Sequence, residues 1–110
     1  AKCDFHFVRN YPPTVNTAAE AAFARQVMQE IVGADNVLTQ EPTMGAEDFA
    51  FMLERVPGSY VLIGNGVGEG GCMVHNPGYD FNDHNVAVGS AFWVLLAERF
   101  LTTKEQAAPR

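Results

Sequence analysis

The sequence predicts an α/β fold, and three observations carry that expectation. Ser59-Tyr60-Val61-Leu62-Ile63 is an apolar run with β-branched residues, the kind that fills a buried strand. Residues 2–9 alternate, with Cys3, Phe5 and Phe7 on one face and Lys2, Asp4 and His6 on the other, which is strand patterning with one wet side. Phe23, Val27 and Ile31, and later Phe92, Leu95, Leu96 and Phe100, recur at helical spacing. Strands interleaved with helices are the signature of an α/β domain.

Taken in order, the strand pattern at 2–9 is followed by Tyr11-Pro12-Pro13-Thr14-Val15-Asn16. Two prolines remove backbone donors and force an extended path, so residues 11–16 are expected to be a hinge. Thr17 and Glu20 have capping-box spacing, and Gly33 ends the pattern, giving a helix over about 17–32. Residues 36–39 are a short strand candidate. After the break at Pro42 to Gly45, a second helix is expected from about Ala46, with Phe49, Met52 and Leu53 inward and Pro57-Gly58 as its stop. Glu47 and Asp48 fall in its first turn, where the helix dipole favours anions.

The strand at 59–63 leads into a glycine-rich loop over 64–71. Gly66, Gly68 and Gly71 match G-x-G-x-x-G, but a dinucleotide site needs a helix opening on that loop, whereas Met73, Val74 and Asn76-Pro77 intervene and Glu69 would repel a phosphate. A flexible, lid-like loop is the better reading. Asn82 or Asp83 caps a last helix over about 83–101, with Trp93 also expected inside, and the polar tail 102–110 is expected to fray. Only about two strands follow the hinge, so the helices would pack on a small, incomplete sheet with open edges.

At 110 residues the chain suits one domain, burying roughly 65% of its unfolded surface. A hydrophobic share of 47% is globular, and no apolar run approaches the 18 or so residues of a membrane span. The net charge of −6 and the lack of a basic run argue against nucleic acid and anionic membrane as partners. Two cysteines, Cys3 and Cys72, make no disulfide framework, so a reducing cytoplasm is the expected compartment, with a single bridge still open. Ala1-Lys2-Cys3-Asp4 runs straight into strand pattern without a signal-peptide core, which fits a segment of something longer.

His75 is the residue that needs an explanation. It stands just before Asn76-Pro77-Gly78, whose proline fixes φ and whose glycine permits a turn, so its imidazole sits on a constrained loop. Neutral imidazole is the commonest metal ligand and the side chain best suited to proton transfer near neutral pH. On spacing alone an exposed loop histidine is the competing reading. Cys72 and His75 also form a C-x-x-H pair, but two ligands do not close a tetrahedral zinc site.

The strings Met44-Gly45-Ala46-Glu47-Asp48-Phe49-Ala50, Pro57-Gly58-Ser59-Tyr60 and His75-Asn76-Pro77-Gly78-Tyr79-Asp80-Phe81-Asn82-Asp83, followed by Gly89, resemble in order the C-terminal third of the hippurate hydrolase type of metal-dependent amidohydrolases. These belong to the aminoacylase and carboxypeptidase family of co-catalytic metallopeptidases. The resemblance implies that residues 17–101 are the C-terminal part of a zinc-peptidase-like α/β catalytic domain, residues 1–10 the end of a strand of the lid (dimerisation) domain, and 11–16 the hinge between them.

It implies further that His75 is the family's last metal ligand, and that Glu47 lines the pocket beside the metal or else merely serves its helix dipole. Asp48 shares that signature, while Gly45, with the loop around Gly64, would let backbone approach substrate. The cofactor would be a divalent metal, zinc, manganese or similar, two per active site. The family's other ligands and its general-base glutamate lie upstream of the matching residues, so no catalytic residue is assigned here and the chain alone is expected to be inactive. The implied substrate is a small N-acyl amino acid, the implied state a homo-oligomer. A non-catalytic α/β interaction module is the rival.

Overall fold

Five alanines among residues 18–24 supply strong intrinsic helix formers, and Ala18–Val32 is helix α1 in a computed structural model of the chain, which describes residues 1–68 and 71–107. Gly33 ends α1 at φ +83°, a left-handed conformation that glycine takes without steric cost, and its N–H still reaches the Gln29 carbonyl at 3.0 Å. A single 3-10 turn follows over Ala34–Asn36, and Asn36 Nδ2 donates to the Val32 carbonyl at 2.7 Å, satisfying a carbonyl of the last turn.

The capping box does not form. Thr17 occupies the N-cap, but its hydroxyl makes no bond to the helix and instead accepts the Gly58 N–H at 3.1 Å. A tertiary partner has taken the oxygen that the local motif requires.

Helix α2 is only Phe49–Leu53, three residues later than the expected start. Glu47 Oε1 accepts the Phe49 N–H at 3.2 Å, and that bond sets where the first turn begins. Ala50 is the residue α2 buries, while Met52, expected inside, is exposed. Helix α3, His84–Ala107, starts where Asn82 Oδ1 accepts the His84 N–H at 3.1 Å, so Asn82 is the cap. It runs to Ala107, with Thr102 Oγ1 bonded to the Glu98 carbonyl at 2.8 Å; residues 108–110 of the tail expected to fray lie outside the described residues.

Helices α1 and α3 pack on each other. Phe23 meets Phe100 with ring centroids 6.4 Å apart, and Glu30 pairs with Arg99 at 2.7 Å. Among the described residues the buried apolar side chains are Ala24, Val27 and Ala50. Trp93 is 67% exposed, contrary to expectation, and meets the Phe92 ring edge to face with centroids 5.4 Å apart.

No strand is present among the described residues, which corrects the incomplete sheet and the three strands expected at 2–9, 36–39 and 59–63. A strand is stable only when a second strand takes its backbone groups, and each of the three lacks one. Residues 1–11 are exposed throughout, although Phe5 and Phe7 do stack on one side of the extended backbone at 6.1 Å. The carbonyls of Val37 and Leu38 accept from the Arg25 guanidinium at 3.3 and 3.5 Å, so a helix side chain stands where a neighbouring strand would. Leu62 and Ile63 are 66% and 50% exposed. The radius of gyration is 18.3 Å, against about 13 Å for a compact domain of this length; the apolar faces are covered by little of the chain itself. Among the described residues no helix is long and apolar enough to cross a membrane.

Candidate functional site

Asn16 and Thr17, at the end of the double-proline segment, clasp residues 58–60. Asn16 Nδ2 donates to the Tyr60 carbonyl at 2.9 Å, and Asn16 Oδ1 accepts the Tyr60 N–H at 2.8 Å. One position on, the Thr17 N–H donates to the Gly58 carbonyl at 2.9 Å while the Thr17 hydroxyl takes the Gly58 N–H. The hinge expected at 11–16 is thus fastened at its C-terminal end, and at its other end the Tyr11 ring lies 5.7 Å from that of Phe51.

The clasp places the Tyr60 phenol against Glu47. Tyr60 Oη donates to Glu47 Oε2 at 3.0 Å, and the Tyr60 ring lies 5.5 Å from that of Phe49. Glu47 therefore accepts from two segments, the amide of Phe49 on one oxygen and the phenol on the other. Both donors favour the charged carboxylate, Phe49 first and Tyr60 next, and hold Glu47 below its ordinary value; the same bond, made by the neutral phenol, pushes Tyr60 up. Glu47 thus serves the start of α2 and also presents a fixed anion. Asp48 is exposed beside it, and a Cβ on Gly45 would meet only Thr43 Oγ1 at 3.8 Å, so the backbone there is open to approach. Next to this group, Phe49, Phe51, Met52 and Gly58 line an apolar cleft of about 550 Å³.

His75 lies on an exposed turn. Asn76 Oδ1 accepts the Gly78 N–H at 2.9 Å and the Asn76 carbonyl accepts the Tyr79 N–H at 3.0 Å, so Pro77 and Gly78 are the central residues of a closed turn. The left-handed conformation falls on His75 itself, at φ +69°, and not on Gly78. Non-glycine residues held there cost conformational energy, and they concentrate at sites where a side chain must point one way.

A second cleft, about 430 Å³, separates the loop at 65–68 from residues 80–84. Asn65 and Asn82 fasten it reciprocally: Asn65 Oδ1 accepts the Asn82 N–H at 2.9 Å, Asn82 Nδ2 donates to the Asn65 carbonyl at 3.2 Å, and Asn65 Nδ2 reaches the Asp80 carbonyl at 2.7 Å. A Cβ on Gly71 would lie 2.7 Å from the Gly66 carbonyl oxygen, a close approach only glycine allows. The next helix opens at His84, well beyond the glycines, as the rejection of the nucleotide fingerprint requires.

The side chains named by the sequence do not assemble into a metal centre within this chain. Among the described residues no three of His, Cys, Asp and Glu come together. His75 offers one imidazole, which is one donor of the three that a catalytic metal ordinarily needs from protein. The Tyr60–Glu47 bond, the Asn16 clasp on Tyr60 and the Asn65–Asn82 pairing escaped the sequence reading. Tyr60 sits inside an apolar run that looks like buried strand, and Asn16 beside two prolines looks like spacer.

The model of peptidase family M20/M25/M40 matches residues 2–99. Hippurate hydrolase of Campylobacter jejuni is 32% identical over 91 residues, which is 82% of this chain and 23% of that protein. An IAA-amino acid hydrolase of Arabidopsis thaliana is 33% identical over 96 residues, 86% of this chain and 21% of its own length. Thermostable carboxypeptidase 1 of Saccharolobus solfataricus is 31% identical over 103 residues, 91% of this chain and 25% of its own. The chain thus spans between a fifth and a quarter of the length of these relatives. No solved structure matches it.

Proposed function

Because the chain belongs to peptidase family M20/M25/M40, we propose that the parent protein is a metal-dependent amidohydrolase that cleaves the amide bond of N-acyl amino acids of the hippurate kind. The observation that carries this reading is the turn at 75–79, where a histidine in left-handed conformation immediately precedes the closed Asn76-Pro77-Gly78 turn, within a family match covering both of the other motifs. His75 is one metal donor, and the remaining donors and the general base come from residues outside this chain. When bound, a pair of divalent ions, zinc or manganese, would supply Lewis acidity toward the scissile carbonyl.

This chain's own residues contribute pocket wall. Glu47, ionised and fixed by two donors, accepts a hydrogen bond from the substrate amide; the open backbone at Gly45 and the neighbouring Asp48 border it, and the apolar cleft beside Phe49 receives the acyl group. A homo-oligomer in a reducing cytoplasm completes the proposal.

The test is hydrolysis of hippurate and other N-acyl amino acids by the parent protein, with and without chelator. His75→Ala should lower bound metal and reduce kcat/KM by at least about 10², with folding intact. Full metal content and normal turnover in that variant would overturn the assignment, and chelator-resistant hydrolysis would overturn metal dependence. The 110-residue chain alone should show no turnover.

A further inference from the structure

An unrestrained glutamate side chain samples many rotamers, so a carboxylate that must meet a ligand in one orientation needs partners on both oxygens. Glu47 has them, and they come from separate parts of the chain: Phe49 opens α2, and Tyr60 belongs to the segment clasped by Asn16 and Thr17. The phenol is fixed in turn. Its ring rests on Phe49 at 5.5 Å, and the backbone N–H and carbonyl of Tyr60 are both taken by the Asn16 side chain. A contiguous set of contacts therefore runs from the double-proline segment, through Asn16 and Tyr60, to the Glu47 carboxylate. Asp48, the adjacent acid, also bonds to Glu47 through backbone and side chain and lowers it further, and the roughly four acceptor positions of a carboxylate still leave room for a donor on a ligand.

We infer that Tyr60 is the positioning residue for Glu47, and that Asn16 sets Tyr60, so that the carboxylate's orientation depends on where the segment ending at Asn16 is held. This deepens the reading above, since it rests on Glu47 meeting the substrate amide. A donor N–H is the substrate group such an anion recognises, and a shift of the 11–16 segment reaches the pocket through two side chains.

The experiment measures steady-state hydrolysis of hippurate by the parent enzyme across pH for Tyr60→Phe, Asn16→Ala and Glu47→Gln, with the melting temperature of each as a control. Tyr60→Phe keeps the ring contact with Phe49 and loses only the donor. It should lower kcat/KM about tenfold, chiefly through KM. It should also move the acidic limb of the pH profile to higher pH, because the ionised carboxylate loses a donor that favours it. Asn16→Ala should shift the limb the same way by a smaller amount. Glu47→Gln impaired while Tyr60→Phe matches the native enzyme in rate and limb overturns the positioning role alone. Loss of rate in Tyr60→Phe without movement of the limb overturns it too, since that is what a merely structural tyrosine would give. A silent Glu47→Gln removes the pocket reading and this inference with it.

Discussion

Asn16 binds both backbone groups of Tyr60 with a single side-chain amide, donating at 2.9 Å and accepting at 2.8 Å. That is the exchange a residue on a neighbouring strand would make, performed by one asparagine. Replacing it with alanine leaves two backbone groups to water and should cost about 1–2 kcal/mol, as the bonds are solvent-exposed. Amide exchange at residues 58–60 of the Asn16→Ala protein should accelerate relative to the native protein, while α1 keeps its protection.

Burial outweighs charge along α1. Val27 is 1% exposed, and truncating it to alanine removes packed methyl groups from a site that cannot collapse fully, at a cost of about 1–2.5 kcal/mol. Glu30 of α1 and Arg99 of α3 pair with side chains 44% and 57% exposed, and such pairs contribute about 0.2–1 kcal/mol. Urea unfolding should rank Val27→Ala as more damaging than Glu30→Gln, and added salt should shrink the second effect only.

The Glu47–Tyr60 bond gives stability opposite dependences on pH at the two ends of the scale. Glu47 is lowered, so its contribution is present above the unfolded carboxylate value of 4.5 and is lost as pH falls through the lower folded value. Tyr60 is raised, so its contribution is present below 10.0 and is lost as pH climbs through the higher folded value. Glu47→Gln should flatten the acid-side slope of a stability-versus-pH curve. In an ultraviolet titration, Tyr60→Phe should remove a phenol titrating above 10.0.

Taken alone, the chain should associate. Phe5, Phe7, Leu62, Ile63, Trp93 and Val94 are all exposed, and the three buried residues among those described are small. Surfaces of that kind bind one another or a hydrophobic dye. A sizing column should place the isolated chain above its monomer mass of 12.0 kDa, with strong dye fluorescence; a dye-silent monomer would contradict the exposure of these faces.

What was legible in the sequence was local. Helix α1 and its Gly33 stop depend on spacing within a few turns, and the start of α3 at Asn82 depends on a side chain reaching two residues on. What was illegible was pairing at long range. The apolar run at 59–63 has every strand preference, yet strand preference needs a partner, and the partner of Tyr60 is the side chain of a residue 44 positions earlier. Thr17 followed the same rule, its hydroxyl drawn from its own helix to Gly58. For the candidate site, the motif around His75 was readable as a constrained turn, but that the left-handed residue is His75 and not Gly78 depends on how the turn closes, which residue identity does not dictate. Glu47 was readable from its signature; the phenol that holds it was not.

The Asn16–Tyr60 clasp also orders events in time. It closes a ring of chain 44 positions long, and bringing such ends together costs roughly 3 kcal/mol of conformational entropy beyond a fixed nucleation term. Two exposed hydrogen bonds cannot meet that cost early. Helix α1, built from contacts three and four residues apart, forms first; α1 and α2 do not touch among the described residues, so the clasp itself has to join residues 16–17 to 58–60 and closes later. The carboxylate of Glu47 is therefore among the last groups in this chain to reach its final orientation, and the first to lose it when the ring opens.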